Sequence, residues 1–180
     1  MKAVIINRGV PGSGKSSFSK EYCLALSDSN ITNKIVSSDH FFETPEGYVY
    51  DITKAGDAHA TCFYNFIKAL SDNTGIVVVD NTNTSEIEMY PYYLAARAYG
   101  YRVVIKTFLI DLEVSIARNI HKVPAASCAA MYSKLMSSQI PPFWNIDINE
   151  SEVFDNTKDF LDVQNGLAPV TKLVHKRFFP

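Results

Sequence analysis

The chain has 180 residues, of which 47% are hydrophobic and 20% charged, and its formal net charge is −2. That is the mix of one ordinary globular domain with a core of its own, and it excludes a polyelectrolyte that coats nucleic acid non-specifically. The charge is uneven: residues 91–140 hold six Lys/Arg against two Asp/Glu, and residues 41–90 hold two against eight, so a local basic face is left open.

Ala3-Val4-Ile5-Ile6 reads as a short buried strand, and Gly9-Val10-Pro11-Gly12-Ser13-Gly14-Lys15-Ser16-Ser17 directly after it satisfies G-x-x-x-x-G-K-[ST]. The spacing dictates the chemistry. Gly9, Gly12 and Gly14 let the backbone curl into a nest of inward N–H groups, with Pro11 and Ser13 completing the loop. Lys15 brings an ammonium to the β/γ-phosphates, and Ser16 brings a hydroxyl to Mg²⁺. A helix starting near Lys15, its first turn running through Ser16 and Ser17, turns its positive end to the same anion. ATP or another nucleoside triphosphate with Mg²⁺ is the predicted ligand.

Residues 15–27 place Phe18, Tyr22, Cys23 and Leu26 at helical spacing, and Ser27-Asp28-Ser29-Asn30 ends that helix. Lys34-Ile35-Val36-Ser37 is a second strand, which delivers Ser38-Asp39-His40 to the carboxyl edge of the sheet. Residues 41–53, with Pro45 and Gly47, read as a loop or small excursion. Residues 54–71 then line one helix face with Ala55, Ala58, Cys62, Phe63, Phe66, Ile67 and Leu70.

Ile76-Val77-Val78-Val79-Asp80 has the unbroken β-branched run of a strand covered on both faces and ends in a carboxylate beside the phosphate loop. Asn81 to Ser85 is a turn and capping segment. Between Ile87 and Tyr99 two helix starts compete: a Ser85/Glu88 capping box with Pro91 inside the helix, or a main helix beginning near Pro91, which is the expectation adopted. Gly100 closes that helix. Residues 101–108 form a fourth strand, Asp111 caps a helix over 112–119, His121-Lys122-Val123 turns the chain, and Pro124 opens a helix carrying Cys128, Met131, Tyr132 and Leu135. Beyond Ile140 the pattern suggests an acidic amphipathic helix over 151–163 and a last strand at Leu173-Val174.

The alternation of strands and helices predicts an α/β protein, a P-loop kinase fold with a central parallel sheet, helices on both faces and a short helical lid around His121-Lys122. Residues 1–140 form the core with its lid, and 141–180 an extension packed on the same domain. Cys23, Cys62 and Cys128 show no C-x-x-C spacing and read as buried thiols. The apolar run after Met1-Lys2 is too short for a signal-peptide core and no segment approaches a membrane span, so a cytoplasmic protein with no membrane partner is expected.

A kinase needs a base at the acceptor hydroxyl, a Mg²⁺ environment and cations on the transferring phosphoryl group. Asp39, at the tip of the second strand, is the candidate base. Asp80 is the Walker-B-type acid that would hold a Mg²⁺-bound water. Arg118 and Lys122 are candidate lid cations over the nucleotide phosphates. His59 occurs in a single H-x-T, without the second that a two-histidine phosphodiesterase needs, and reads as a packed helix residue.

Arg8 to Ser17, Ser37-Ser38-Asp39, Gly56-Asp57-Ala58-His59, Val79-Asp80-Asn81-Thr82-Asn83 and Arg118-Asn119 with His121-Lys122-Val123-Pro124 span roughly residues 3–135. With these stretches the chain resembles the polynucleotide 5′-kinase branch of P-loop proteins; D-N-T-N and R-N-x-H-x-V-P are narrower signals than the loop itself. The resemblance implies transfer of the ATP γ-phosphate to a 5′-hydroxyl end of RNA or DNA. It places the base at Asp39, phosphate and Mg²⁺ binding at Lys15 and Ser16, a substrate or metal-water role at Asp80-Asn81, and the lid at Arg118. Phe42 stands where the family's phage member has an arginine that grips a substrate phosphate, and the lid is shorter and less basic. Phe41, Phe42, Tyr48 and Tyr50 either stack on bases of the substrate or pack against the core. Two other readings stay open: a kinase of a nucleoside or metabolite, and a nucleotide-binding switch without phosphoryl transfer.

Overall fold

Ala3–Arg8, the first strand β1, is buried along its whole length, because both of its faces are covered and both of its neighbours are strands. In this computed structural model, which describes residues 2–144, 146 and 152–155, β1 is the middle of a five-stranded sheet. The other strands are β2 (Asn33–Val36), β5 (Ile76–Val79), β6 (Arg102–Leu109) and β7 (Glu152–Asp155), in the order β2-β5-β1-β6-β7 and parallel throughout. Two short strands, β3 (Glu43–Thr44) and β4 (Gly47–Tyr48), pair antiparallel outside it.

Successive strand residues point to opposite faces, so each strand feeds two cores. Val4, Ile6, Val77, Val79, Val103 and Ile105 face helices α2 (Ala55–Ser71) and α3 (Glu86–Ala98), meeting Phe66, Leu70, Met89 and Ala96. Ile5, Val78, Val104 and Phe108 face the other way, onto Phe18 and Cys23 of α1 (Lys15–Asp28). Each large apolar side chain buried this way contributes about 1.5–3 kcal/mol relative to exposure. A third, smaller cluster joins Val10 to Ile110 and to Leu135 of α5 (Ala125–Ser137), which follows α4 (Leu112–Arg118). Asp111 is the N-cap of α4 and acts through its backbone carbonyl, which accepts from the Ser115 N–H at 2.8 Å.

Three expectations are corrected. Helix α3 starts at Glu86, with Pro91 inside it. The Glu88 carboxylate accepts the Thr84 N–H at 2.7 Å, and Met89 and Tyr92 bury the same face, so this first turn is held although Pro91 offers no N–H to the carbonyl four residues back. The 151–163 helix is replaced at Glu152–Asp155 by β7, whose residues pair in register with Lys106–Leu109 and cover the far side of β6. Four residues of strand there pair a free sheet edge, which a surface helix would leave open. His59 lies on the exposed side of α2 and is not packed. The 41–53 excursion contains the β3–β4 hairpin between two 3-10 turns, at Ser38–Phe41 and Ile52–Lys54. Leu173-Val174 lies outside the described residues.

Pro142–Trp144 forms a further 3-10 turn that sends Trp144 into the α3 side of the core, where its ring stacks on Tyr93 at 4.6 Å and the Tyr93 hydroxyl donates to its carbonyl. Among the described residues no helix is long and apolar enough to cross a membrane.

Candidate active site

The loop between β1 and α1 has the conformation its glycines predict. Gly12 and Gly14 have φ of +74° and +97°, in the region that side chains rarely adopt. Gly9 is required for space: a Cβ there would sit 2.7 Å from the Phe108 carbonyl oxygen. Thr82, just past β5, fixes the loop's first residue, its carbonyl accepting the Gly9 N–H at 2.8 Å. On the lid side the Ser115 hydroxyl donates to the Pro11 carbonyl at 2.7 Å, so α4 is docked directly on the loop.

Lys15 is 8% exposed and folded back into the loop, its ammonium donating to the Val10 carbonyl at 2.8 Å and lying 3.4 Å from the Ser13 Oγ. Burial lowers its pKa to about 8, against the opposing pull of the Asp80 and Asp39 carboxylates. The ammonium thus occupies a cradle made for an anion. Ser16 and Ser17 are exposed on the first turn of α1, where the free N–H groups of the helix start point outward.

Asp80 ends β5 with 7% of its surface exposed, and the Asn7 Nδ2 approaches its Oδ1 at 3.5 Å. The Ser16 hydroxyl and the Asp80 carboxylate are hard oxygen donors, the set that suits Mg²⁺ carried in by a nucleotide with its own phosphate oxygens and waters. Two residues that sequence reasoning passed over align this corner. Asn7 donates to the Ser19 Oγ at 2.8 Å, the Ser19 hydroxyl donates to the Lys15 carbonyl at 3.0 Å, and Asn83 donates to the Asn7 carbonyl at 2.7 Å. A polar side chain at the end of an apolar strand, as at Asn7, was the signal available.

Asp39 lies at the same edge, at the end of β2. Its N–H donates to the Ser37 Oγ at 3.2 Å, while the Ser37 hydroxyl donates to the Asp80 carbonyl at 2.9 Å, so the tips of β2 and β5 are tied together. The Asp39 side chain is 46% exposed. Tyr48 donates its phenol to Oδ1 at 3.0 Å, and His121 Nε2 stands 4.0 Å from Oδ2. Neither residue is legible as a partner of Asp39 from spacing, because one comes from the hairpin and the other from the turn after α4.

The remaining candidates divide. Arg118 has its Cβ 3.1 Å from the position of a Cβ on Gly12, so its side chain starts beside the phosphate loop; it is half-buried, and burial lowers its pKa. Lys122 is exposed, at φ +55° in the turn after α4. Asn81 is a tether: its Oδ1 accepts the Ser38 N–H and hydroxyl at 2.9 and 3.1 Å, and its Nδ2 donates to the Tyr92 hydroxyl at 3.2 Å. Phe42 is 5% exposed, its ring 4.9 Å from Tyr50 and 5.3 Å from Phe41, so it supports the exposed Phe41 and Tyr50 and is itself covered.

A parallel sheet with a glycine-cradled anion site at the carboxyl end of its middle strand, and a lysine lodged in it, defines a P-loop, kinase-like nucleotide-binding domain. The profile of the AAA_33 family, an AAA domain, matches residues 4–133, more than half of the chain, and the chain belongs to that family. Human NEDD4-binding protein 2 is 27% identical over 151 residues, covering 77% of this chain and 8% of that much longer protein. Among solved structures, the Pnkp1/Rnl/Hen1 RNA repair complex contains a chain similar in fold at a TM-score of 0.60 with 18% identity, covering 75% of this chain and 44% of that one. The APS kinase CysC of Mycobacterium tuberculosis, in complex with AMPPNP and APS, is similar at a TM-score of 0.58 with 14% identity, covering 92% of this chain and 97% of that one.

Proposed function

We propose that this chain is an ATP-dependent phosphotransferase that phosphorylates a 5′-hydroxyl end of RNA or DNA, with Asp39 as general base. The observation that carries the reading is that Asp39, a half-exposed carboxylate, lies at the carboxyl edge of the sheet that carries the phosphate loop, tied through Ser37 to Asp80 at the tip of β5. A nucleotide switch has no use for an exposed base there; a kinase does.

In the transfer, an acceptor hydroxyl gives its proton to Asp39 as its oxygen forms a bond to the γ-phosphorus. The bond from that phosphorus to the β,γ-bridging oxygen breaks, and ADP leaves with the electron pair. Lys15 swings from the Val10 carbonyl to the phosphates, and Arg118 extends over them from α4. Ser16 and Asp80 would hold Mg²⁺, which when bound neutralises charge on the β- and γ-phosphates.

The nucleic-acid acceptor is supported by the motif resemblance and by Phe41 and Tyr50, exposed aromatic rings near Asp39 that suit base stacking. A small-molecule acceptor is the second reading. It is favoured by the acidic surroundings, Glu43, Glu46, Asp51 and Asp57 against Lys54, which repel a long polyanion. An acceptor screen with γ-labelled ATP separates them: label passing to 5′-hydroxyl oligonucleotides, and not to nucleosides or small alcohols, is the expected result. Label on small acceptors alone replaces the first reading with the second, and ATP turnover without any acceptor dependence removes both.

A further inference from the structure

Two loops far apart in sequence meet on one carboxylate. Tyr48, on the β3–β4 hairpin, and His121, in the turn between α4 and α5, stack with ring centroids 4.1 Å apart and a 43° interplanar angle. Both rings also face Asp39: the Tyr48 hydroxyl donates to Oδ1 at 3.0 Å, and His121 Nε2 lies 4.0 Å from Oδ2. The turn is built to aim the histidine. The Lys122 N–H donates to the Asn119 carbonyl at 3.3 Å, the Asn119 side chain donates to the Val123 carbonyl at 2.7 Å, and Lys122 takes a left-handed conformation. Ile120 and Lys122 are thereby turned to solvent while His121 points to the acceptor side.

An exposed aspartate on a short 3-10 turn has several staggered rotamers, and a base must hold one of them when the acceptor arrives. Tyr48 removes that freedom by engaging Oδ1. At 4.0 Å His121 is beyond hydrogen-bond distance of Oδ2, so it walls that oxygen in without consuming its lone pairs. One oxygen is committed to holding the carboxylate and the other is left for the proton.

We infer that Tyr48 and His121 are positioning residues for Asp39, and that the base is set only when the acceptor hairpin and the lid turn are docked together. The inference rests on the reading of Asp39 as general base. It adds a coupling: the turn belongs to the segment that starts with α4 on the phosphate loop, so a lid displaced from the nucleotide also releases one wall of the base. Burial and the neighbouring carboxylate hold the Tyr48 phenol protonated well beyond its ordinary range, which keeps it a donor at every working pH.

The test compares the full chain with Y48F, Y48A, H121A, H121Q and D39N, alone and combined, using the acceptor found in the screen above. Y48F and H121A are each expected to lower kcat about tenfold, with acceptor KM and nucleotide Kd within twofold of wild type, and H121Q to recover part of the H121A loss. Because the two residues act through Asp39, D39N/Y48F is expected to be no slower than D39N. In NMR spectra Y48F should shift the Asp39 carboxyl carbon, while the ring-current shift on His121 should persist in Y48F and vanish in Y48A. Wild-type kcat in both single variants, full additivity of Y48F with D39N, or an unmoved Asp39 carboxyl signal overturns the inference and leaves the kinase reading standing. A wild-type chain inert towards every acceptor overturns the kinase reading, and the inference with it.

Discussion

Asn81 Oδ1 accepts two hydrogen bonds from Ser38, one from the backbone N–H at 2.9 Å and one from the hydroxyl at 3.1 Å. The residue after β5 therefore sets the start of the turn that carries Asp39. Asn81 is buried, and its Nδ2 donates in turn to Tyr92. Asn81→Ala leaves the Ser38 N–H without its acceptor in a half-buried place, an expected loss of about 2 kcal/mol in urea unfolding. It should also lower acceptor phosphorylation by about tenfold with nucleotide affinity nearly unchanged, since it disturbs the Asp39 side of the edge and not the loop.

Lys15 makes nucleotide binding depend on pH in a specific direction. Its pKa in the free protein is about 8, lowered chiefly by burial, and polyphosphate favours its charged form, so the complex takes up a proton at higher pH. Affinity is expected to fall as pH rises through about 8, by up to tenfold per unit from this one group. Calorimetric titration with a non-hydrolysable ATP analogue from pH 7 to 9.5 checks this, and Lys15→Arg, whose charge does not titrate there, should flatten the profile. Stability without nucleotide moves the opposite way. Between about pH 8 and the ordinary lysine value near 10.4 the unfolded chain binds more protons than the folded one, so raising pH over that window removes a cost of burying the ammonium.

The parts of the fold and site that can be read from the sequence are those written in local pattern. The phosphate loop declares itself through glycine spacing, and β5 through an unbroken β-branched run. Asp39 and Asp80 follow from their places at strand ends once a parallel sheet is accepted, because every parallel strand delivers its last residue to the same edge. What escapes is settled by packing across elements. Pro91 argues locally for a later helix start, yet the Thr84–Glu88 bond and the burial of Met89 and Tyr92 outweigh its missing donor. Glu152–Asp155 carries two acids that suit a surface helix, but an open β6 edge takes it as a strand. Phe42 offers the same letter whether it is exposed or packs beneath Phe41 and Tyr50, as it does. Tyr48 and His121 are joined only by the tertiary fold.

Gly12 and Gly56 form a matched pair of tests. At Gly12 an added Cβ meets the Ser115 carbonyl at 2.7 Å in a backbone of φ +74°, so Gly12→Ala must strain the residue and push α4 off the loop. The conformational part alone is about 1–2 kcal/mol, and nucleotide affinity should drop at least tenfold. At Gly56, in the first turn of α2, nothing lies within 4 Å of an added Cβ. Gly56→Ala is expected to stabilise the chain by about 0.5–1 kcal/mol with kinetics unchanged. Thermal melts with and without nucleotide separate the two.

Arg8, at the end of β1 and next to the phosphate loop, ties the far end of the lid to the sheet. It is 5% exposed, and its Nη2 donates to the carbonyls of Ser138 at 2.9 Å, Leu135 at 3.1 Å and Thr84 at 3.4 Å. The first two belong to the end of α5, whose negative dipole end favours a cation. Burial pulls the Arg8 pKa down while the Glu86 and Glu88 carboxylates oppose it, and a guanidinium is not deprotonated in proteins. Arg8→Met keeps much of the volume but strands the carbonyls and leaves the two acids without their nearest buried cation. The expected loss is about 3 kcal/mol, larger than for any surface pair. The Lys134–Glu88 ion pair at 2.9 Å also joins α5 to α3, but at the surface, where Lys134→Ala should cost about 0.5 kcal/mol. Hydrogen exchange discriminates the roles: in Arg8→Met the amides of α5 should lose protection ahead of those of β1 and β5, whereas equal loss across the sheet would make Arg8 a general core residue and not the tether of the lid.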